Sequence, residues 1–522
     1  MKDPSETPHP ERPVLVLTGR ICYPSLRSLL KDTGAEVFAG PVDVAALMTN
    51  ETVRTILEGK DLDLYSYVML PGMFGGDLLE LEGDLGIEFF LGPVNFTDIP
   101  IALQHAGGDR LSKRIPANRI LMDEFTDRVT QFYRDSLEKG IGREGSVVIG
   151  DGASSITIYP RCPPRIVAEI VDASDKGYEE IVKEAKHYMQ SGADVVDLGL
   201  PPGPETRGWI SDTLPQLSED IKAPISVDTL DEAAILSSAD AGADLILSLC
   251  GTTLELVESI DTPVVLVPVA DQKHGPPRRA EERLERLAEY QHQIEGHAVV
   301  LDPLLEPIGN GFDQSIKSYL LLEDRFPRLP SMMGIGNVTE LTDVDSIGMN
   351  GLLAGIASAC GTSLMLSTEN SQKTRGSISE LSNAAVMMYY SVSKSVAPKD
   401  IGLDLLYYKE KTPRIDPTPL PGEKTIARSN ACMEGISQET KFHIIVSDSS
   451  IHVITDRGGQ PVDIMGRNSD EIIDTLGYLN LLPSPRHCAY LGQELAKAEI
   501  ALLTGRSYMQ DQPLFSRREA GV

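Results

Sequence analysis

Eight short apolar runs, each followed by a longer connecting stretch, constrain the fold of this chain more than any other feature. The runs begin about 20 to 35 residues apart, and amphipathic helical patterns such as 178–190 and 281–294 fill the gaps. The runs are RIVAEIV (165–171), ADVVDLG (193–199), PISVD (224–228), ADLILSL (243–249), PVVLVPV (263–269), HAVVLD (297–302), SMMGIG (331–336) and TSLMLS (362–367).

Near-continuous apolar strands that alternate with helices are typical of a parallel sheet covered on both faces. Eight such units predict a closed (β/α)8 TIM barrel over residues 160–395. An open, doubly wound sheet is the alternative. Gly-Ala-Asp leads into two of the strands, at 192–194 and 242–244, where a glycine that ends the preceding helix is expected.

The segments on either side of the predicted barrel have different patterns. Strand-like runs at 13–17, 36–40 and 67–72 alternate with helical stretches, which predicts a small Rossmann-like α/β domain over 1–155. The glycine-rich turn 71–77 follows one of these strands and could hold a phosphate, or it could be a tight structural loop.

Residues 400–522 predict a small C-terminal α+β domain. A hairpin is expected at 441–456, followed by two helices, and the proline-rich stretch 399–424 is typical of a linker that contains a strand. This domain could form a homodimer, cover the barrel mouth or bind a partner protein.

Composition excludes several classes of function. The 522 residues include 47 basic and 77 acidic side chains, so the net charge of −30 disfavours nucleic-acid binding. No run approaches the roughly 18–20 apolar residues of a membrane span, and the polar residues 1–13 do not resemble an export signal. We therefore expect a cytoplasmic protein that does not bind membranes.

The cysteines and histidines give no metal signal. Neither residue type shows ligand-like spacing. We expect reduced, mostly buried thiols at Cys22, Cys162, Cys250, Cys360, Cys432 and Cys488.

Polar residues stand where the predicted barrel strands end, and barrel active sites lie at that face. The candidates are Glu169, Asp172, Asp197, Asp228, Ser248, Cys250, Asp302 and Asn337, with Lys373 and Arg375 in the loop after the eighth strand. Each has a simpler explanation. Asp228 or Thr229 could cap the next helix, Asn337 could satisfy a turn, and the two cations could be ordinary solvated charges.

Several of these motifs resemble one superfamily. GADVVDLG (192–199), PISVDT (224–229) and GADLILSLCG (242–251) resemble the first half of dihydropteroate synthase. LDPLLEPIG (301–309) and MGIGNVTEL (333–341) resemble the methyltetrahydrofolate-dependent methyltransferases of the same pterin-binding barrel superfamily. With a domain on each side, the chain resembles archaeal dihydropteroate-synthase-related proteins.

The resemblance implies roles for particular residues. Asp228 and Asp302 match the buried acids that hold the pterin ring, and Asn337 matches the asparagine near its N5 atom. Asp228 and Asn337 are therefore the expected catalytic residues, and Asp197 and Ser248 are expected to contact the pterin too. Lys373 and Arg375 would bind a phosphate or the acidic tail of the pterin.

The resemblance leaves the reaction open. Transfer of a methyl or one-carbon group to or from a reduced pterin, such as tetrahydromethanopterin or a tetrahydrofolate, is the first hypothesis, with a corrinoid or thiol as acceptor. The alternative is a synthase that joins a dihydropterin-methyl diphosphate to an arylamine, which would use Mg²⁺. A non-catalytic pterin carrier is the third.

Departures from the synthase pattern favour the first hypothesis. The first strand lacks the asparagine of the synthases, Leu247-Ser248 replaces their Asn-Asp, and Asn337-Val338 replaces their Arg-Lys pair. The asparagine that the methyltransferases carry at the fourth strand is missing as well. Besides Lys373 and Arg375, cations for a diphosphate could come only from the loop after the fifth strand. These are Lys273, Arg278 and Arg279.

Overall fold

The computed structural model describes residues 12–105, 110–271, 273–407, 441–447, 449–482 and 484–515. Cys432 and most of the predicted linker and its strand lie outside the described residues. Two compact units are present. One contains 1–370 and 376–408, and the other contains 371–375 and 409–522.

The N-terminal domain is a parallel sheet with helices. Its strands are β1 (Leu15–Thr18), β2 (Glu36–Ala39), β3 (Val68–Leu70) and β4 (Phe89–Leu91). Its helices are α1 (Tyr23–Leu29), α2 (Asn50–Leu57), α3 (Leu78–Leu85), α4 (Ile99–Ala102), α5 (Ala117–Ile120) and α6 (Met122–Glu138). The strand order β2-β1-β3-β4, parallel throughout, confirms the predicted Rossmann-like α/β domain.

The glycine-rich turn 71–77 packs as a tight loop. Asp77 caps α3 by accepting hydrogen bonds from the backbone N–H groups of Leu79 and Glu80. A side chain at Gly72 would place its Cβ 2.6 Å from the carbonyl oxygen of Gly92. Because these glycines make room for neighbouring backbone, the turn is better explained by packing than by phosphate binding.

The second domain is a (β/α)8 barrel. A hairpin, β5 (Val147–Ile149) and β6 (Ile156–Ile158), precedes it. The barrel strands are β7 (Arg165–Ile170), β8 (Val195–Gly199), β9 (Ile225–Asp228), β10 (Leu245–Leu249), β11 (Val264–Leu266), β12 (Val299–Leu301), β13 (Met332–Gly334) and β14 (Leu364–Ser367). The helices are α7 (Tyr178–Gln190), α8 (Pro204–Asp220), α9 (Glu232–Asp240), α10 (Ala280–Gln293), α11 (Phe312–Arg325), α12 (Gly336–Thr339), α13 (Ser346–Ala359) and α14 (Ser377–Lys394).

The sheet closes on itself. The strand order is β12-β11-β10-β9-β8-β7-β14-β13, and a parallel bridge between Leu301 and Ser331 joins the two ends. All eight predicted strands are confirmed, and the open-sheet alternative is wrong. One expectation fails: β10 is followed by a 3-10 helix (Leu254–Ser259), not an α-helix, because the 14-residue connection 250–263 leaves little room for one.

The barrel interior alternates along each strand. Val167, Val195 and Val300 pack inside it, together with residues of the β5–β6 hairpin that lie beneath. Side chains two residues apart on a strand point the same way. The residues two positions further along β7 and β8, Glu169 and Asp197, therefore also face inward.

The Gly-Ala-Asp motif has a structural purpose. Gly192 and Gly242 adopt left-handed backbone conformations, with φ of 99° and 93°, where their helices end. Asp194 and Asp244 then accept hydrogen bonds from the backbone N–H groups of Ile166 and Ile225, each at 2.8 Å. The motif thus ends a helix and ties the start of the next strand to its neighbour.

The C-terminal unit contains an antiparallel sheet covered by two helices. Its elements are β15 (His443–Val446), β16 (Ile451–Arg457), β17 (Gln460–Gly466), α15 (Ser469–Tyr478) and α16 (Pro485–Thr504). The β15–β16 pairing confirms the predicted hairpin and the α+β class. Among the described helices, none combines the length and apolar character that crossing a bilayer requires.

Candidate active site

Four carboxylates gather where the strands of the barrel end. Glu169 on β7 is the register partner of Asp197 on β8, and Asp228 ends β9 opposite Gly199. Asp302 directly follows β12. Asp197 and Asp302 are 0% and 2% exposed, so at least two of these acids lie out of contact with bulk water.

Burial and mutual repulsion disfavour the charged forms of these acids. The pKa of Asp197 lies well above its usual value, because of burial first and of Asp228 and Glu169 second. Burial, Asp228 and Asp172 raise the pKa of Glu169 to about 7. Burial raises the pKa of Asp228 as well. Acids with pKa values shifted in this way are typical of functional sites.

Asp197 and Asp228 each accept a side-chain hydrogen bond from one serine. Asp197 Oδ1 accepts a hydrogen bond from Ser226 Oγ at 2.6 Å, whereas Oδ2 is buried without a partner. Asp228 has a side-chain hydrogen bond from Ser248. Since α9 is capped by Asp231, Asp228 is not needed as a helix cap. A ligand that brings hydrogen-bond donors would satisfy these oxygens.

Asp302 accepts more hydrogen bonds from the protein than Asp197 does. Its Oδ1 accepts from Tyr319 OH at 2.6 Å and from the backbone N–H of Leu304 at 2.7 Å. Burial still raises its pKa to about 6, although both bonds oppose the shift. Leu304 adopts a φ of 67°, which is strained for a non-glycine residue.

A fully buried arginine holds the loop that follows Asp302. Arg283 on α10 donates from Nη1 to the carbonyl oxygens of Pro303 (3.2 Å) and Leu304 (3.0 Å) and to Ser315 Oγ (3.1 Å). It also forms an ion pair with Glu306. Because its guanidinium is occupied by these groups, Arg283 acts as a support for the loop.

Asn337 lies beside this loop. It sits in the short helix α12, is exposed, and donates from Nδ2 to the carbonyl oxygen of Leu305 at 3.1 Å. A Cβ at Gly334 would lie 2.9 Å from Nδ2, so the glycine leaves space for the amide. The second N–H of Nδ2 and the oxygen Oδ1 of Asn337 can bond to a ligand.

Two further strand ends carry backbone strain. Ser248 in β10 has a φ of 66°, beside an irregular register between β10 and β11. Asp172, after β7, has a φ of 50° and is exposed. Strained residues gathered at one end of a barrel are typical of a functional site.

Comparison with known proteins gives the family. Residues 170–342 match the model of the pterin binding enzyme family, and residues 436–511 match the model PterinBD-DUF4346. A curated protein of Methanocaldococcus jannaschii, described as uncharacterized, is 31% identical over 523 residues, which cover 96% of this chain and 99% of that protein. The chain belongs to the dihydropteroate-synthase-related family of pterin-binding enzymes.

Solved dihydropteroate synthases align with about half of the chain. The Yersinia pestis enzyme with a pterine-sulfa conjugate is 20% identical, covers 47% of this chain and 100% of its own, and has a TM-score of 0.38. The Xanthomonas albilineans enzyme with 7,8-dihydropteroate is 18% identical, covers 48% of this chain and 99% of its own, and has a TM-score of 0.37.

The cations predicted for this pterin-binding enzyme lie on two connecting segments of the chain. Lys373 and Arg375 lie in the turn Ser371–Arg375, which groups with the C-terminal unit, and Arg375 lies against Gly505 there. Their anion-binding role stays a prediction. Lys273, Arg278 and Arg279 are exposed on the loop between β11 and α10. Within the described residues, no group of three or more His, Cys, Asp or Glu side chains could hold a metal ion.

Sequence reasoning gave no role to three residues of this pterin-binding enzyme that the structure places at the site. Glu169 was a strand-end candidate, and its two-residue spacing from Val167 was the signal that it faces inward. Arg283 and Tyr319 lie inside helical patterns, where nothing in the sequence distinguishes them from surface residues. Only the fold shows that they support the Asp302 loop.

Proposed function

We propose that this protein is a transferase that moves a methyl or other one-carbon group to or from a reduced pterin, such as tetrahydromethanopterin. The observation that carries the proposal is the buried oxygen Asp197 Oδ2, which has no hydrogen-bond partner and lies in a group of four acids at the strand ends. The 2-amino-4-oxo edge of a pterin presents adjacent N–H donors, which such oxygens accept. Asp228 and Asp302 would anchor that edge.

The charge of the site supports methyl transfer over the synthase reaction. A dihydropterin-methyl diphosphate would bring negative charge towards Glu169, Asp197 and Asp228, whose charged forms are already disfavoured. The fully buried cation nearby, Arg283, is occupied by the Asp302 loop. A neutral methyl-pterin ring meets neither difficulty, because its donors lessen the cost of the buried carboxylates.

In the proposed reaction the side chains orient the pterin and stabilise its N5 atom. An acceptor thiolate or reduced corrinoid attacks the methyl carbon, the N5–carbon bond breaks, and its electron pair stays on N5, which takes up a proton. The amide of Asn337 would hydrogen-bond N5 as its charge changes.

The proposal is tested by demethylation of a methyl-tetrahydropterin. The full chain is incubated with methyl-tetrahydromethanopterin or methyltetrahydrofolate and with a thiol or cob(I)alamin, and the demethylated pterin is measured by chromatography. Asp228→Asn should weaken pterin binding by about 2–3 kcal/mol, roughly 30- to 150-fold, because the amide replaces an acceptor oxygen by a donor and leaves a pterin N–H unpaired.

The control is Asp313→Asn, which removes an equal charge from the exposed first turn of α11. It should leave binding and turnover unchanged. If neither methyl-pterin binds to the wild-type protein or loses its methyl group, the proposal is wrong.

A further inference from the structure

Glu169 is an inward-facing acid to which the proposed function has not yet given a role. Its carboxylate lies against β8, where a Cβ at Gly199 would come within 2.5 Å of Oε1, so only glycine leaves room for it. Its own carbonyl oxygen accepts a hydrogen bond from Thr368 Oγ1 at 3.0 Å, which fixes this part of β7. The carboxylate is therefore half-buried and lies against the backbone of β8.

The groups that face Glu169 are mostly acidic. They are Asp172 after β7, Asp197 on β8, Asp228 at the end of β9, and Glu340 after α12, with Lys176 as the opposing cation. Lys176 is itself paired with Glu184 at 2.7 Å. Burial is the largest cause of the shift that takes the pKa of Glu169 to about 7, and the facing acids add to it. A proton is therefore held there at neutral pH but can leave.

The position of Glu169 relative to the other site residues suggests what it does. Asp228, the proposed anchor of the pterin edge, is one neighbour, and Glu340 is another. Glu340 follows α12, three residues after Asn337, the proposed contact of N5. Glu169 Oε1 lies against Gly199, which is the register partner of Asp228. Thr368, which donates to the Glu169 carbonyl oxygen, lies 3.8 Å from where a Cβ would stand at Gly336, the residue before Asn337. Glu169 is thus close both to Asp228 and to the chain segment that carries Asn337.

We infer that Glu169 is the catalytic acid that gives its proton to the pterin nitrogen as the methyl group leaves. This inference rests on the proposed function. The acceptor's electron pair forms the new bond to the methyl carbon, the N5–carbon bond breaks, and its electron pair takes the proton from the Glu169 carboxyl. The carboxylate is then reprotonated from solvent. In the reverse direction the carboxylate removes the proton from N5.

The test is Glu169→Gln in the full chain, with methyl-tetrahydromethanopterin or methyltetrahydrofolate as the probe. Because glutamine keeps the size of the side chain, the Kd for the probe should stay within about threefold. The rate of demethylation at pH 7 should fall roughly 10²- to 10⁴-fold, the usual contribution of a general acid. In the wild type the rate should fall above about pH 7, as the acid loses its proton, and the variant should lose this dependence.

Two further variants test whether Glu169 acts as a proton donor or only supports the structure. Asp172→Asn removes a neighbouring exposed charge and should keep the alkaline fall in rate. Glu169→Asp keeps a titrating group and should retain the fall at a lower rate. A Glu169→Gln enzyme with wild-type rate and pH profile overturns the inference alone. A wild-type protein that binds no methyl-pterin overturns the proposed function, and the inference with it.

Discussion

Two aspartates near β8 differ in their hydrogen-bond partners, and this difference indicates different roles. Asp194, just before β8, accepts from the backbone N–H of Ile166 at 2.8 Å and pairs with Arg165 at 2.6 Å. Asp197, three residues later, is buried among other acids with one oxygen unpartnered. Asp194 therefore stabilises the fold, whereas Asp197 is left to be satisfied by a ligand.

This difference predicts that an Asp→Asn substitution has opposite effects on the free energy of unfolding at Asp197 and at Asp194. The pKa of Asp197 is raised in the folded protein, so the stability it contributes is present at low pH and is lost as the pH rises. Asp197→Asn should therefore raise the free energy of unfolding relative to the wild type at pH 8 but not at pH 4. Urea denaturation at the two pH values measures this.

The matched control is Asp194→Asn. It weakens an ion pair and a backbone hydrogen bond, so it should destabilise the protein at pH 8. If Asp197→Asn destabilises the protein to the same degree as Asp194→Asn at pH 8, the account of the buried acids is wrong.

At the scale of elements, the sequence predicts the repeated strands and helices of the barrel. It does not predict contacts that depend on how these elements pack against each other. The apolar runs gave all eight barrel strands, and the amphipathic patterns at 178–190 and 281–294 gave α7 and α10. The absence of an α-helix after β10 was not predicted, although the short connection 250–263 can be read from the sequence. The support of the Asp302 loop by Arg283 depends on how α10 meets β12, which no local pattern encodes.

For the candidate site too, the sequence predicted the positions of residues but not the contacts between them. Strand-end positions pointed to Asp197, Asp228 and Asp302 because every barrel strand ends at the same face. The shifted pKa values and the unpartnered oxygen of Asp197 come from distances across strands, which a sequence does not give.

The two Gly-Ala-Asp glycines give an element-scale prediction. Both have a left-handed φ, which costs an alanine about 1–2 kcal/mol. A Cβ at Gly192 would in addition overlap Ser382 Oγ, whereas one at Gly242 has open space around it. Gly192→Ala should therefore destabilise the protein more than Gly242→Ala, as measured by thermal unfolding. Equal losses would show that the contact with Ser382 is unimportant.

The loop after β12, which Arg283 supports, gives a second element-scale prediction. Arg283→Met removes the donors of three carbonyl oxygens, those of Pro277, Pro303 and Leu304, and leaves Glu306 without its partner. It should therefore cost about 3 kcal/mol of stability or more. It should also weaken pterin binding, because the Asp302 loop loses its support. Arg286→Ala, one turn along the same face of α10, removes only a long 3.4 Å hydrogen bond and serves as the control. Binding unchanged in Arg283→Met would contradict the supporting role.

At the scale of the whole molecule, acidic character has two origins. The net charge of −30 comes from 77 acidic residues, and a few of them are buried in the barrel. The excess of surface acids disfavours contact with phosphate backbones, whereas the proposed function gives the buried acids a ligand that brings donors. The barrel and the C-terminal unit each match a family model of their own, and the pterin-binding claim concerns the barrel.

The central claim is that the barrel binds a methylated reduced pterin. Its most direct test is native mass spectrometry of the full chain offered an equimolar mixture of methyl-tetrahydropterin and dihydropterin-methyl diphosphate. The account predicts that the wild-type protein retains the methylated pterin and that Asp228→Asn retains far less of it. Preferential retention of the diphosphate would contradict the methyl-transfer claim, and retention of neither would contradict pterin binding itself.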